Sequence, residues 1–149
     1  MMVFLSGAID LAKGEHRHNW RNEAKQKLNR FGITTVDPSL TFNYSKTGNA
    51  ELDQITAMKL IDMDKYNMMM CDMTIMVLSK DVPSIGTPIE MYMLHEAERP
   101  LIVVWEGDMN FIPAYITGLV PRKNIVNDLD VAIEMVVDYY NQLKAMYNR

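Results

Sequence analysis

Short apolar runs alternate with helical periodicities along the 149 residues of this chain, and that alternation predicts an α/β fold whose parallel sheet is covered on both faces. Three stretches carry the prediction. Met2 to Ser6 is an apolar run closing on Gly7, Asp72 to Leu78 is another with a helical pattern from Thr87 to Glu98 behind it, and Leu101 to Trp105 follows directly on Pro100. Hydrophobic residues make up 48% of the chain, enough for one domain over residues 1–149 to bury a sizeable core.

Taken in order, Met2 to Ser6 reads as a buried strand that stops where the backbone must turn closely at Gly7. A loop through Lys13 and Gly14 leads to a helix on which Trp20, Ala24, Leu28 and Phe31 recur at helical spacing, with Gly32 to close it. Ile33 to Val36 returns as a strand and Asp37-Pro38 stops it. Ser39 to Ala50 is polar and long for a connection in a compact α/β domain, the kind of segment that forms a lid or stays disordered. Glu51 to Met70 is a helix rich in methionine. Asn110 to Gly118 is a short apolar segment, Asn124 to Val126 a last strand, and from Asp128 onward Leu129, Ile133, Val136, Tyr140, Leu143 and Tyr147 form a helical stripe. About five strands separated by helices imply a doubly wound, flavodoxin-like sheet. With strand order 2-1-3-4-5, ligands bind beyond the carboxyl ends of the first and third strands, between the loop after Ser6 and the loop after Ser79.

Composition narrows the partners. A net charge of −4 and the absence of any basic run argue against a nucleic-acid polymer and leave a free nucleotide open. Cys71 is the one cysteine, so no internal disulfide forms, and its place beside a buried strand suits core packing. His16, His18 and His95 lack a recognised ligand spacing, so no metal is expected. Gly7, Gly14 and Gly86 form neither a dinucleotide fingerprint nor a phosphate loop, and GAIDLAKGEHRH lacks the Ser, Thr and Gly run of a flavin loop; no cofactor is expected. The start MMVFLSGAID is too short and acidic for a signal peptide and no apolar run approaches ~20 residues, which points to a cytoplasmic protein away from membranes.

Chemistry concentrates in the turn from Ser79 to Glu90. Thr87-Pro88-Ile89-Glu90 reads as a capping box, with the threonine hydroxyl at the N-cap and proline in the first turn, where its missing N–H costs nothing. Glu90 then lies at the positive end of a helix dipole, which favours the ionised carboxylate a nucleophile needs. An ordinary helix start has the same pattern, and the cap alone accounts for it. Glu90 faces Gly7-Ala8-Ile9-Asp10 across the expected crevice. Asp64, late in its helix, is either a ligand-binding carboxylate or a solvated helix charge, and Asp72 reads as a turn residue.

These pieces together resemble the nucleoside 2-deoxyribosyltransferase superfamily, which includes the deoxyribonucleoside 5′-monophosphate N-glycosidases. The resemblance runs over roughly residues 2–120, through FLSGAID at Phe4 to Asp10, TTVDP at Thr34 to Pro38, Asp64 eight residues before Asp72, and SIGTPIE from Ser84. It implies Glu90 as nucleophile, Asp64 as the group that handles the proton on the base, and substrate contacts at Phe4, Gly7, Ile9, Asp10, Asp37, Ser84 and Gly86. Phe4 stands where the family often has tyrosine, so a hydroxyl that steadies the nucleophile is missing there. Ser84 stands where transferases tend to have an acid and the monophosphate hydrolases a serine, while Asp10 stands where a phosphate would be repelled. A neighbouring subunit's contribution would fall near Asn110 to Tyr115, where Pro113 and Tyr115 are not a clear family match.

The activity implied is cleavage of the N-glycosidic bond of a 2′-deoxynucleoside through a glycosyl-glutamate, with the sugar passed to another base. Hydrolysis of a deoxyribonucleoside 5′-monophosphate is the alternative within the family, and a non-catalytic nucleotide-binding domain the alternative from another class. The apolar stripe from Asp128 to Arg149 and the surplus apolar surface of Glu51 to Met70 predict a homo-oligomer with shared active sites.

Overall fold

The computed structural model describes residues 1–9, 18–41 and 44–147, so Asp10, Lys13, Gly14 and His16 lie outside the described residues. Five strands form one sheet: β1 (Met2–Gly7), β2 (Thr34–Val36), β3 (Met73–Ser79), β4 (Leu101–Glu106) and β5 (Ile125–Val126). Every pairing is parallel and the order is β2-β1-β3-β4-β5. This is the doubly wound arrangement the alternation predicts. Chain order reverses between β1 and β3, whose ends pair at Gly7 and Val77, and there the connections leave in opposite directions and open a crevice.

The helices are α1 (Asn19–Asn29), α2 (Ala50–Met70), α3 (Gly86–Glu96), α4 (Ala114–Leu119) and α5 (Leu129–Tyr147). Alternation along the strands sorts them into two layers. Val3 and Leu5 of β1 pack with Ile75, Val77, Ile102 and Val104 against Trp20, Ala24 and Leu28 of α1 and Ala132, Ile133 and Val136 of α5. Phe4 points the other way and joins Met76, Val103 and Trp105 beneath Met68, Met91, Leu94 and Ile116. Cys71 is buried in that second layer, as its position predicts. Asp72 ties the incoming ends together: its carboxylate accepts from the Met2 amide at 2.7 Å and its own amide donates to the Met2 carbonyl at 2.9 Å.

Several expectations are corrected. Phe31 is not on the buried stripe of α1, because the helix ends at Asn29 and Gly32 takes a φ of +74°, which turns Phe31 out to 51% exposure. Arg21 takes its place and is fully buried. The described part of the polar connection after Asp37 has local structure of its own. Pro38–Leu40 is a 3₁₀ turn capped by Asp37, whose side chain accepts from the Ser39 amide at 2.9 Å, and Asn49 caps α2 by accepting from the amides of Glu51 and Leu52. The apolar segment from Asn110 contains α4, yet Phe111 and Tyr115 stay exposed. Of the long helix α2 only Met68 is buried, while Leu52, Ile55, Met58 and Ile61 face outward. No described helix is long and apolar enough to cross a membrane.

Candidate active site

Alternation puts Ser6, two residues beyond Phe4, on the same face of the sheet as α3, at the outgoing end of β1. The helix that follows β3 begins nearby, and its entry differs from the sequence reading. Ser84, not Thr87, supplies the capping hydroxyl: its Oγ accepts from the Thr87 amide at 3.2 Å and bonds the Thr87 hydroxyl at 2.6 Å. Thr87 lies inside the helix and is buried. Pro88 is tolerated there because amides of the first turn have no intrahelical partner. Glu90 is thereby released from any capping duty. Its Oε2 accepts the hydroxyl of Ser6 across the crevice.

The two sides of β1's last residues are fixed by different means. On the side of α1, the fully buried Arg21 donates from Nε to the Leu5 carbonyl at 3.3 Å and from Nη2 to the Gly7 carbonyl at 2.9 Å. The same guanidinium lies 3.4 Å from Asp37 Oδ1, a carboxylate only 7% exposed, and 4.5 Å from the centre of the Trp20 ring. Burial of the arginine is tolerable because charge, carbonyls and ring all meet it. Gly7 is glycine for packing: a Cβ there would sit 2.9 Å from Trp20 Cζ2 and 3.2 Å from the Val77 carbonyl. Strand β1 is thus held by its carbonyls on one side while Ser6 presents its hydroxyl on the other.

A cavity of about 390 Å³ opens beside Glu90, between α2 and α3. Asp64 and Lys65 from α2, Gly86, Ile89 and Glu90 from α3, and Tyr44 from the segment before α2 line it together with aliphatic side chains. A separate depression of about 470 Å³ around His95, Arg99 and Asn124 lies at the incoming end of β4. It is remote from Ser6 and Glu90. His18 bonds Ser39 at 3.3 Å and His95 bonds the Leu119 carbonyl at 2.9 Å, so these two histidines have separate local partners.

The carboxyls of the cavity do not behave as exposed ones. Burial pushes Glu90 up to about 7; the Ser6 hydrogen bond pulls it down, the nearby Asp64 raises it further, and Arg21 lowers it. Burial likewise pushes Asp64 up to about 6. The helix N-terminus, which favours the ionised form of Glu90, is thus opposed by burial. A helix end offers ~0.3 to 1 kcal/mol, and desolvation of the carboxyl outweighs it. A raised carboxyl next to a second one in a cavity is the electrostatic pattern of acid, base and nucleophile pairs.

The sequence-derived residues divide into two groups. Asp64, Gly86 and Glu90 meet at the cavity, and Ser84 sets the start of the helix that carries Glu90. Phe4 has no exposed surface and packs in the core. Gly7 packs on Trp20, and Asp37 is engaged by Arg21 and the Ser39 amide. Ile9 is half-buried just past the end of β1, and Asp10 lies outside the described residues. Ser6, Arg21, Tyr44 and Lys65 were not singled out from sequence. A signal existed for two of them: Ser6 is a polar residue on the inward side of a buried strand, and Arg21 falls on the same stripe as Ala24 and Leu28.

The fold has solved counterparts. A 2-deoxyribosyltransferase from the psychrotolerant bacterium Bacillus psychrosaccharolyticus superposes with a TM-score of 0.68 over 89% of this chain and 90% of that one, at 17% identity. A conserved protein from Enterococcus faecalis V583 superposes with a TM-score of 0.61 over 89% of this chain and 94% of that one, at 10% identity. At these identities the likeness is one of fold. No protein-family model and no curated protein matches the chain.

Proposed function

We propose that this protein cleaves the N-glycosidic bond of a 2′-deoxynucleoside and passes the sugar to a second base, in the manner of the nucleoside 2-deoxyribosyltransferase superfamily. The observation that carries the reading is Glu90, a carboxylate held by the Ser6 hydroxyl at the mouth of a cavity it shares with Asp64. Two carboxyls with raised proton affinity in one largely aliphatic cavity suit a reaction that needs one as nucleophile and the other as proton donor. The fold shared with the Bacillus psychrosaccharolyticus enzyme is consistent with it.

In this mechanism a Glu90 oxygen attacks C1′ from the face opposite the base. The C1′–N bond breaks with its electron pair leaving on the base, and Asp64 gives that nitrogen a proton. The result is a glycosyl ester on Glu90 and a neutral free base, the two-step logic of retaining glycosidases. A second base then attacks C1′, returns its proton to Asp64 and releases the Glu90 carboxylate. Water in place of the second base gives hydrolysis.

Ser84 is the one observation that favours hydrolysis of a 5′-monophosphate, since serine stands there in those hydrolases. Its hydroxyl is already engaged by the Thr87 amide and hydroxyl, which leaves transfer as the better-supported reading. A homo-oligomer would complete the site: Ile85 and Ile89, which line the cavity, stay exposed, as do Phe111 and Tyr115 of the segment from which a neighbouring subunit would contribute. Sedimentation as a monomer at micromolar concentration would remove this element of the proposal.

The deciding experiment incubates the protein with 2′-deoxynucleosides and their 5′-monophosphates, with and without a second base. Exchanged nucleoside is expected, and Glu90→Gln is expected to lose several orders of magnitude in rate while still folded, melting no lower than the wild type. A slow 2′-fluoro substrate should leave a glycosyl adduct on the wild type and none on the variant. Neither free base nor exchanged nucleoside from any substrate would instead identify a non-catalytic nucleotide-binding domain.

A further inference from the structure

The wall of the cavity has an aromatic member. Tyr44 lines it from the segment that precedes α2, facing a space bounded by Leu60 and Ile61 of α2 and by Ile85 and Ile89 of α3. The other described lining residues are aliphatic, charged or methionine, so Tyr44 offers the one flat π surface among them. It is half-buried rather than free in solvent.

The segment behind Tyr44 is fastened. The Thr47 amide and hydroxyl both donate to Asp53 Oδ1 at 2.8 Å, the Asn49 amide donates to Thr47 Oγ1 at 3.2 Å, and Asn49 caps α2. Asp53 is held below the usual carboxylate range by these Thr47 bonds, which keeps it an acceptor. Only Ser45 and Lys46 therefore separate Tyr44 from Thr47, which is anchored on Asp53 of the same helix that carries Asp64. Such a tether limits where the ring can go and lowers the ordering cost of a contact made by it.

We infer that Tyr44 is the base-stacking residue of the site, a specificity-determining contact that holds the planar nucleobase of donor and acceptor while Glu90 acts at the sugar. The inference rests on the nucleoside reading above and deepens it. Base on aromatic stacking has the magnitude to matter: it accounts for roughly tenfold to a hundredfold in affinity per base when the ring is removed. Every base has a π face, so the contact serves the incoming base as well as the departing one. Aliphatic walls alone would accept a base without fixing its plane.

The test measures binding and turnover separately on the whole protein. Free adenine is titrated calorimetrically into wild type, Tyr44→Leu and Tyr44→Phe, and KM and kcat are measured for 2′-deoxyadenosine with a second base present. Tyr44→Leu is expected to weaken adenine at least ~10-fold and to raise KM by a similar factor with kcat changed far less. Tyr44→Phe should restore most of the loss, because the ring and not the hydroxyl carries the contact. A merely structural role would lower the melting temperature of both variants and would not split KM from kcat. Adenine affinity equal in wild type and Tyr44→Leu overturns the inference, as does a wild type that binds no base. A wild type that binds adenine through Tyr44 yet turns over no deoxynucleoside sinks the transfer mechanism and leaves the stacking contact standing.

Discussion

The hydroxyl of Ser6, at the outgoing end of β1, is bonded to the carboxylate of Glu90 on α3, 84 residues further along the chain. The family resemblance implied a hydroxyl partner for this carboxylate at the position of Phe4, where this chain has none. The hydroxyl that meets Glu90 comes from two residues downstream, on the same face of the same strand. Phe4 meanwhile fills the core beneath, so support and orientation come from alternate roles on one strand face.

Removing that hydroxyl makes a first prediction. The Ser6 bond pulls the Glu90 carboxyl down, so Ser6→Ala should raise it further and shift the acid limb of the kcat/KM profile to higher pH. Loss of a charge-assisted bond of ~1.5 to 3 kcal/mol should lower kcat about tenfold or more, with little change in KM. A pH–rate profile superimposable on the wild type would show that the Ser6 contact does not tune the carboxylate.

Stability should depend on pH with a definite sign. Glu90 at about 7 and Asp64 at about 6 both lie above their unfolded values, so the folded protein binds their protons more tightly than the unfolded chain. Their stabilisation is complete below pH ~4 and is lost as pH rises through about 6 and then about 7. Glu90→Gln has no such proton to lose. The difference in melting temperature between Glu90→Gln and wild type should therefore grow in the variant's favour from pH 5 to pH 8, and a difference independent of pH would contradict the raised value for Glu90.

Asp37 separates a binding role from a structural one. Its carboxylate faces the buried Arg21 guanidinium and caps the 3₁₀ turn, so Asp37→Ala removes a counter-charge from a group that remains buried. Breaking a buried pair in this way costs ~3 to 5 kcal/mol. A loss of stability of that size in denaturant melts is expected. A variant that melts like the wild type but binds substrate poorly would return Asp37 to the substrate.

The sequence by itself determined the architecture and drew attention to Glu90, the carboxylate on which the proposed mechanism rests. Strands of β-branched and apolar residues alternating with helical stripes admit few solutions, and a parallel sheet of order β2-β1-β3-β4-β5 is the one adopted. Glu90 was legible because a turn between a buried strand and a helix start is a local pattern. Only the tertiary structure decided what that carboxylate touches. Thr87 and Ser84 both lie at cap-compatible spacing, and the choice between them depended on how α3 docks onto β1, which buries Thr87 and leaves Ser84 to cap. Ser6, Arg21, Asp37 and Tyr44 acquire their roles from contacts with residues distant in the chain. Proton affinity followed the same rule: the helix start favours an ionised Glu90, while burial, which depends on every element packed around the carboxyl, pushes the group up to about 7.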